Sequence, residues 1–202
     1  MSERFGQITK SERAMLDVMR TFRVMEKAQL STYMKKLDFN KYDIANALDE
    51  SKFNRKLFEI EFLGKRFISA SERLPQNCLQ ITEAIWVMLF NIISSEVDEF
   101  KSICLGTSIT HGASILFYTK NNYMYYVVRA FSREEAAVNM VAMQEKIQEY
   151  SSTIVMDYTR VLILVNTDDL NTLSLPRVSY TYMCVKVNRS EEGKIKVLSV
   201  KE

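Results

Sequence analysis

KYDIANALDESKFNRKLFEIEFLGKRFISA, residues 41–70, decides how the first part of the chain folds. Ile44, Ala45, Ala47 and Leu48 recur at helical spacing, and Asn40 or Lys41 is a natural start for that helix. Two readings then compete. Phe53, Leu57, Ile60 and Leu63 suit a continuing helix, whereas Phe58, Ile60 and Phe62 alternate as in a strand. On either reading Gly64-Lys65-Arg66 is a turn and Phe67-Ile68-Ser69-Ala70 a strand. The favoured expectation is a helix to about Phe62, then two short strands between about Arg66 and Leu79. Their tip would lie near Ser71-Glu72-Arg73.

Upstream, Thr9 and Glu12 are spaced as a capping box, and Met15, Leu16, Val18, Met19 and Phe22 follow as an apolar stripe. A second helical pattern runs from about Lys27 to Lys36, with Leu30, Tyr33, Met34 and Leu37 as its stripe, and Asp38-Phe39-Asn40 turns the chain. Three short helices followed by a hairpin make the plan of a winged helix-turn-helix. In that fold one helix enters the major groove and the wing touches the backbone, so double-stranded DNA is the expected partner. Lys41, Lys52, Arg55 and Lys56 lie on or beside the expected recognition region. Lys65, Arg66 and Arg73 flank the expected wing, and Lys35 and Lys36 are placed to clamp a phosphate. Asn46 is a candidate for a base edge. Replacing Lys52, Arg55 and Lys56 together is expected to weaken binding without unfolding the domain. A winged helix can also dock on protein, and that reading stands beside the first.

Charge leans the same way. Residues 1–75 carry 15 Lys or Arg against 11 Asp or Glu, and residues 76–202 carry 12 against 14. The first part is therefore net +4 and the second net −2, which favours nucleic-acid contact by the first. Apolar residues make up 47% of the 202, ample for one large or two small cores. Cys78, Cys104 and Cys184 are odd in number and far apart, so they read as free thiols of a reducing compartment and not as a disulfide framework. No apolar stretch follows Met1-Ser2-Glu3-Arg4, so no signal peptide is expected and the chain is read as cytoplasmic. AIWVMLFNII, residues 84–93, is too short to span a bilayer and reads as a buried helix.

That apolar segment is expected to connect two domains: a winged helix over residues 1–78, a connecting helix over 79–97 and an α/β domain over 98–202. Such a helix must be covered by the last domain or by a partner chain. Trp86 and Phe90 on it are interface candidates, and its pairing between protomers would make a homodimer. In the last domain, ASILFYT (113–119) and YMYYVVRAF (123–131) flank Asn121-Asn122 as a hairpin. Ser132 and Glu135 then form a second capping box, opening a helix to about Gln148. TRVLILV (159–165) has the near-continuous apolarity of a central strand covered on both faces. Thr167–Leu170 caps a short helix, with Asp168 as the cap. Strands follow at 178–187 and 195–200, with a turn from Asn188 to Gly193. The fold class expected is α+β: the winged helix, then a small α/β sandwich with a mixed sheet.

Chemistry is sparse. His111, the single histidine, has no nucleophile elbow or triad order around it. Asp168-Asp169 lack the further acid and lysine of a metal-dependent nuclease, and Gly106 and Gly112 lack a phosphate-loop pattern. No catalytic residue, metal or cofactor is expected. Tyr118, Tyr123, Tyr125 and Tyr126 crowd one hairpin, where Tyr123 and Tyr125 are candidates for a stacking or protein-binding surface.

ITEAIWVML at Ile81–Leu89, ASILFYTKNNYMYYVV at Ala113–Val128, and the strand Val161–Val165 followed by Asp168 carry a resemblance. With the N-terminal helical unit, they resemble an uncharacterised family of Gram-positive bacteria and their plasmids and integrative elements. That family is itself similar to the replication-relaxation proteins. The resemblance implies a winged helix ahead of a degraded restriction-endonuclease-like domain. It also implies a DNA-associated accessory or regulatory role in a mobile element. The chain departs from the pattern in lacking a proline before the Ile115 strand and any intact nuclease motif, so no functional residue is carried over. A protein-interaction module acting on a host or phage nucleoprotein machine is the alternative expectation.

Overall fold

In the computed structural model, residues 8–94, 113–118, 124–150, 159–190 and 195–200 are described. They divide into two units, Met1–Thr82 and Glu83–Glu202.

Helix α1 spans Lys10–Phe22, and its first free backbone N–H groups set the start: Thr9 accepts the Glu12 N–H at 3.1 Å. The Glu12 carboxylate does not close the expected box. It reaches across the unit to Lys56. Arg23, at φ +61, ends α1. A three-residue strand, β1 (Val24–Glu26), leads directly into α2 (Lys27–Lys36). Helix α3 covers Lys41–Phe53, capped by Asn40, whose side chain accepts from the N–H groups of Tyr42 and Asp43.

After α3 the structure corrects the favoured sequence reading. Asn54 caps the helix and Arg55 turns to φ +52, so the helical period stops there. The alternation of Phe58, Ile60 and Phe62 wins, giving strand β2 (Phe58–Phe62), and β3 is Lys65–Ser69. The hairpin tip is Leu63-Gly64, not Ser71–Arg73, and the region expected to end the wing begins helix α4 (Cys78–Ser94). Strand β1 completes the sheet in the order β1-β3-β2, antiparallel throughout. Both tip residues have positive φ, +50 for Leu63 and +70 for Gly64, as a two-residue type I′ turn requires.

Helices and sheet close on a core of Met15, Met19, Phe22, Met25, Leu30, Met34, Leu57, Phe67 and Ile68, each essentially without solvent contact. Removing a side chain of this size from water is worth about 1.5–3 kcal/mol. Phe22 meets Tyr33 edge to face at 5.8 Å. The Gln29 side chain, fully buried, accepts from Glu26 N–H at 2.8 Å and donates to the Thr82 carbonyl, fastening α2 to the start of α4.

The second unit is a five-stranded mixed sheet in the order β4-β5-β6-β7-β8. β4 (Ala113–Tyr118) and β5 (Met124–Arg129) are an antiparallel pair with a bulge between Ala113 and Ile115. Helix α5 (Arg133–Tyr150) carries the chain to β6 (Thr159–Val165), parallel to β5. A 3₁₀ helix at Leu170–Leu173 leads to β7 (Tyr182–Arg189), also parallel, and β8 (Ile195–Val200) returns antiparallel. Met140, Met143, Ala136 and Ile147 on α5 cover Tyr126, Val128, Val161, Ile163 and Cys184. Val127, Leu162, Leu164 and Val185 on the opposite face are buried too, which is why residues 161–165 read as an unbroken apolar run. The α5 start matches its sequence signature in part. Ser132 accepts from Glu135 N–H, while the Glu135 carboxylate accepts from Phe131 N–H and pairs with Arg129. At the 3₁₀ helix the cap is Asp169, correcting the assignment to Asp168, whose carboxylate instead holds Lys186 at 2.7 Å.

Candidate nucleic-acid interface

Helix α3 turns Ile44, Ala47, Leu48 and Ser51 inward. The remaining phase puts Tyr42, Asn46, Asp49 and Phe53 on the outside at intervals of four, three and four residues. Tyr42 is 81% exposed and Phe53 86%, so this helix presents two nearly bare aromatics with Asn46 between them. Lys41 and Lys52 face three acids on the same helix, Asp43, Asp49 and Glu50, which leaves α3 net −1. Positive charge therefore lies at the ends of α3 and beyond it.

The nine basic residues picked out in the sequence separate into two groups. Lys35 and Lys36 end α2, Lys41 begins α3, Arg55 follows α3, Arg66 lies on β3 and Arg73 lies beyond it. All six are exposed, and none makes an ion pair with another described residue. Lys52, Lys56 and Lys65 are half-buried and compensated. Lys52 bonds Glu59 at 3.0 Å and Asp49 at 3.2 Å, and Lys56 bonds Glu12 at 2.9 Å. Lys65 lies 3.7 Å from Glu26, which is 8% exposed at its side chain.

Glu59 is shared by two ion pairs. Its carboxylate on β2 takes Lys27, at the start of α2, on one oxygen and Lys52, near the end of α3, on the other. The Lys27 hydrogen bond, with Lys52 adding to it, holds the Glu59 carboxyl below the usual carboxylate range against the opposing effect of burial. Lys52 is pushed up in turn, chiefly by its bond to Glu59. Through this carboxylate α3 and the hairpin are fixed to one another. Replacing Lys52, Arg55 and Lys56 together would therefore break ion pairs with Glu59, Asp49 and Glu12, besides removing an exposed cation.

The other sequence candidates scatter. Trp86 is 7% exposed within the single chain and Phe90 is half-buried. Tyr125 is half-buried, and its neighbour Tyr126 points the other way into the α5 core at 3% exposure, so strand alternation removes Tyr126 from the face that carries Tyr125. Tyr123, His111, Cys104, Gly106, Gly112 and the Asn121-Asn122 turn lie outside the described residues. Of the expected Asn188–Gly193 turn, Asn188 and Arg189 belong instead to β7, paired with β8, and residues 191–193 lie outside the described residues. Cys78 and Cys184 are buried free thiols. Burial pushes the Cys78 thiol up. Among the described residues no three His, Cys, Asp or Glu side chains gather to hold a metal ion, and no helix is long and apolar enough to cross a membrane.

Sequence reasoning missed Tyr42, Phe53 and Leu63 as exposed groups. The signal was present for two of them. Tyr42 and Phe53 fall out of phase with the stripe Ile44-Ala47-Leu48, but Phe53 also fits the competing helical period with Leu57, Ile60 and Leu63, which the structure does not follow.

Against models of known protein families the chain matches none, and against curated proteins it finds no relative.

Proposed function

We propose that the N-terminal unit is a winged helix-turn-helix that binds double-stranded DNA, in an accessory or regulatory protein of a plasmid, phage or integrative element. The observation that carries this reading is the order α1-β1-α2-α3-β2-β3 with its antiparallel β1-β3-β2 sheet, in which Glu59 locks α3 to the hairpin. On this reading α3 enters the major groove, with Tyr42, Asn46 and Phe53 toward the base edges. The uncompensated cations contact phosphates: Lys41 and Arg55 at the two ends of α3, Lys35 and Lys36 from α2, and Arg66 and Arg73 from the hairpin and beyond. Phosphate contacts position the unit, and the acids on α3 disfavour any closer approach of its centre to the backbone. The mobile-element setting rests on the family resemblance of the sequence.

Protein docking is the second reading, favoured by the exposure of Tyr42 and Phe53 and by the net negative charge of α3. Fluorescence anisotropy of the full chain with a mixed-sequence duplex separates the two. DNA binding predicts an affinity that falls steeply between 50 and 200 mM salt, as counterions released from the duplex demand. No association at 50 mM salt would overturn it in favour of protein docking.

A further inference from the structure

We propose that Leu63, at the tip of the β2–β3 hairpin, is an apolar wedge that enters the minor groove of the bound duplex and parts a base step. The inference rests on the DNA reading above and adds how the hairpin engages the helix. Three observations carry it. Leu63 sits at φ +50, a backbone conformation that a type I′ turn demands and that asparagine or glycine occupies with least strain. Its side chain is 68% exposed, so no core compensates for that strain, and leucine has no polar group to bond back to the turn. The tip is held out on a stalk that is paired without a break from Phe58↔Ser69 to Phe62↔Lys65, with Phe67 and Ile68 fully buried behind it.

Neither turn chemistry nor packing asks for leucine here. The surroundings fit an apolar group that meets stacked bases. Phe62, beside it, is 42% exposed, and Arg66, three residues on, is exposed and carries no ion pair among the described residues. An apolar side chain that slides between base planes, with a guanidinium nearby for the groove wall or a phosphate, is the chemistry of minor-groove wedges. Pyrimidine–purine steps, above all TA, part most easily and are the expected target.

The test uses the full chain and a duplex of alternating TA steps, so that every binding register offers a target. Permanganate oxidation reads unstacked thymines, and anisotropy on the same duplex reads affinity. The protein is expected to raise thymine reactivity several-fold over free duplex at saturation. Leu63→Asn, which keeps the turn, should return reactivity to the free-duplex level with an affinity within about tenfold of the parent. Circular dichroism of the variant confirms that it is folded. Duplex binding by the parent with no rise in reactivity, or the same rise in Leu63→Asn, overturns the wedge and leaves the DNA reading standing. Failure of the parent to bind the duplex at low salt overturns both and hands the exposed tip to a protein surface.

Discussion

Lys56→Ala should destabilise the N-terminal unit more than Glu12→Ala does, although the two substitutions break the same ion pair. Lys56 follows α3 and reaches Glu12 in the first turn of α1 at 2.9 Å. The two side chains are unequally placed: Glu12 is 6% exposed and Lys56 35%. Removing the ammonium strands a buried carboxylate, with the N-terminal end of α1 left as a favourable neighbour. Loss of one partner from a fully buried pair costs about 3–5 kcal/mol. Because Lys56 is a third exposed, water can take part of its place, and the figure falls to about 2 kcal/mol. Glu12→Ala removes the buried charge itself and frees an ammonium that can turn outward, a change nearer the surface-pair range of about 1 kcal/mol or less. The double variant should then lie close to Glu12→Ala alone. Native-state hydrogen exchange of the full chain in increasing urea reads this locally, through amides of residues 10–22 and 41–53. A single global transition is not assured for two units. Equal losses, or a larger loss in Glu12→Ala, would refute the argument that the burial of Glu12 sets the cost.

Glu59 makes the same unit sensitive to acid. Its folded carboxyl titrates below the ordinary value of 4.5, so its contribution is present above that value and is lost as pH falls through the lower folded one. Glu59→Gln should flatten the acid limb of a stability–pH curve measured by the same exchange, and an unchanged limb would remove Glu59 as its source. Lys52, raised above 10.5, gives the mirror case, with stability lost only as pH climbs past that value. Leu63→Asn should stabilise the hairpin by about 1 kcal/mol through relief of the left-handed strain. Native-state exchange protection of the hairpin amides that does not rise would argue against strain at the tip. In the second unit, Ile163→Ala on the central strand should cost about 2–5 kcal/mol. Met183→Ala, at a position 52% exposed on the neighbouring strand, should stay within about 0.5 kcal/mol. Comparable losses at the two sites, read by denaturation, would contradict the described core.

Strand β6 was legible because burial on both faces leaves a run of apolar residues that no surface element would carry. Helix α2 and the Asn40 cap were legible because their signals are local. β1 was not: three residues are too few to display a period, and its pairing partner lies more than forty residues downstream. Residues 53–63 satisfied two periods at once. The arbiter was the positive φ of Arg55, a conformation that leaves no mark in an arginine codon. The site fared similarly. Lys52, Lys56 and Lys65 looked like free cations in the chain, because the Glu59 that holds Lys52 lies beyond the end of α3, and the Glu12 and Glu26 that hold Lys56 and Lys65 are 44 and 39 positions away. Lys35, Lys36, Lys41, Arg55, Arg66 and Arg73 kept the exposure the sequence suggested. Tyr126 parts from Tyr125 for an elementary reason: adjacent residues of a strand face opposite ways.

The most direct test replaces Lys41, Arg55 and Arg66 together with alanine, three exposed cations that hold no ion pair among the described residues. Duplex affinity is then followed by anisotropy from 50 to 200 mM salt. Stability should stay within about 0.5 kcal/mol per site. If these residues meet phosphates, the slope of log affinity against log salt should become shallower by about 2.7, three contacts at about 0.9 each. A variant that binds with the parent's affinity and slope would contradict the assignment of α3 and the hairpin to DNA.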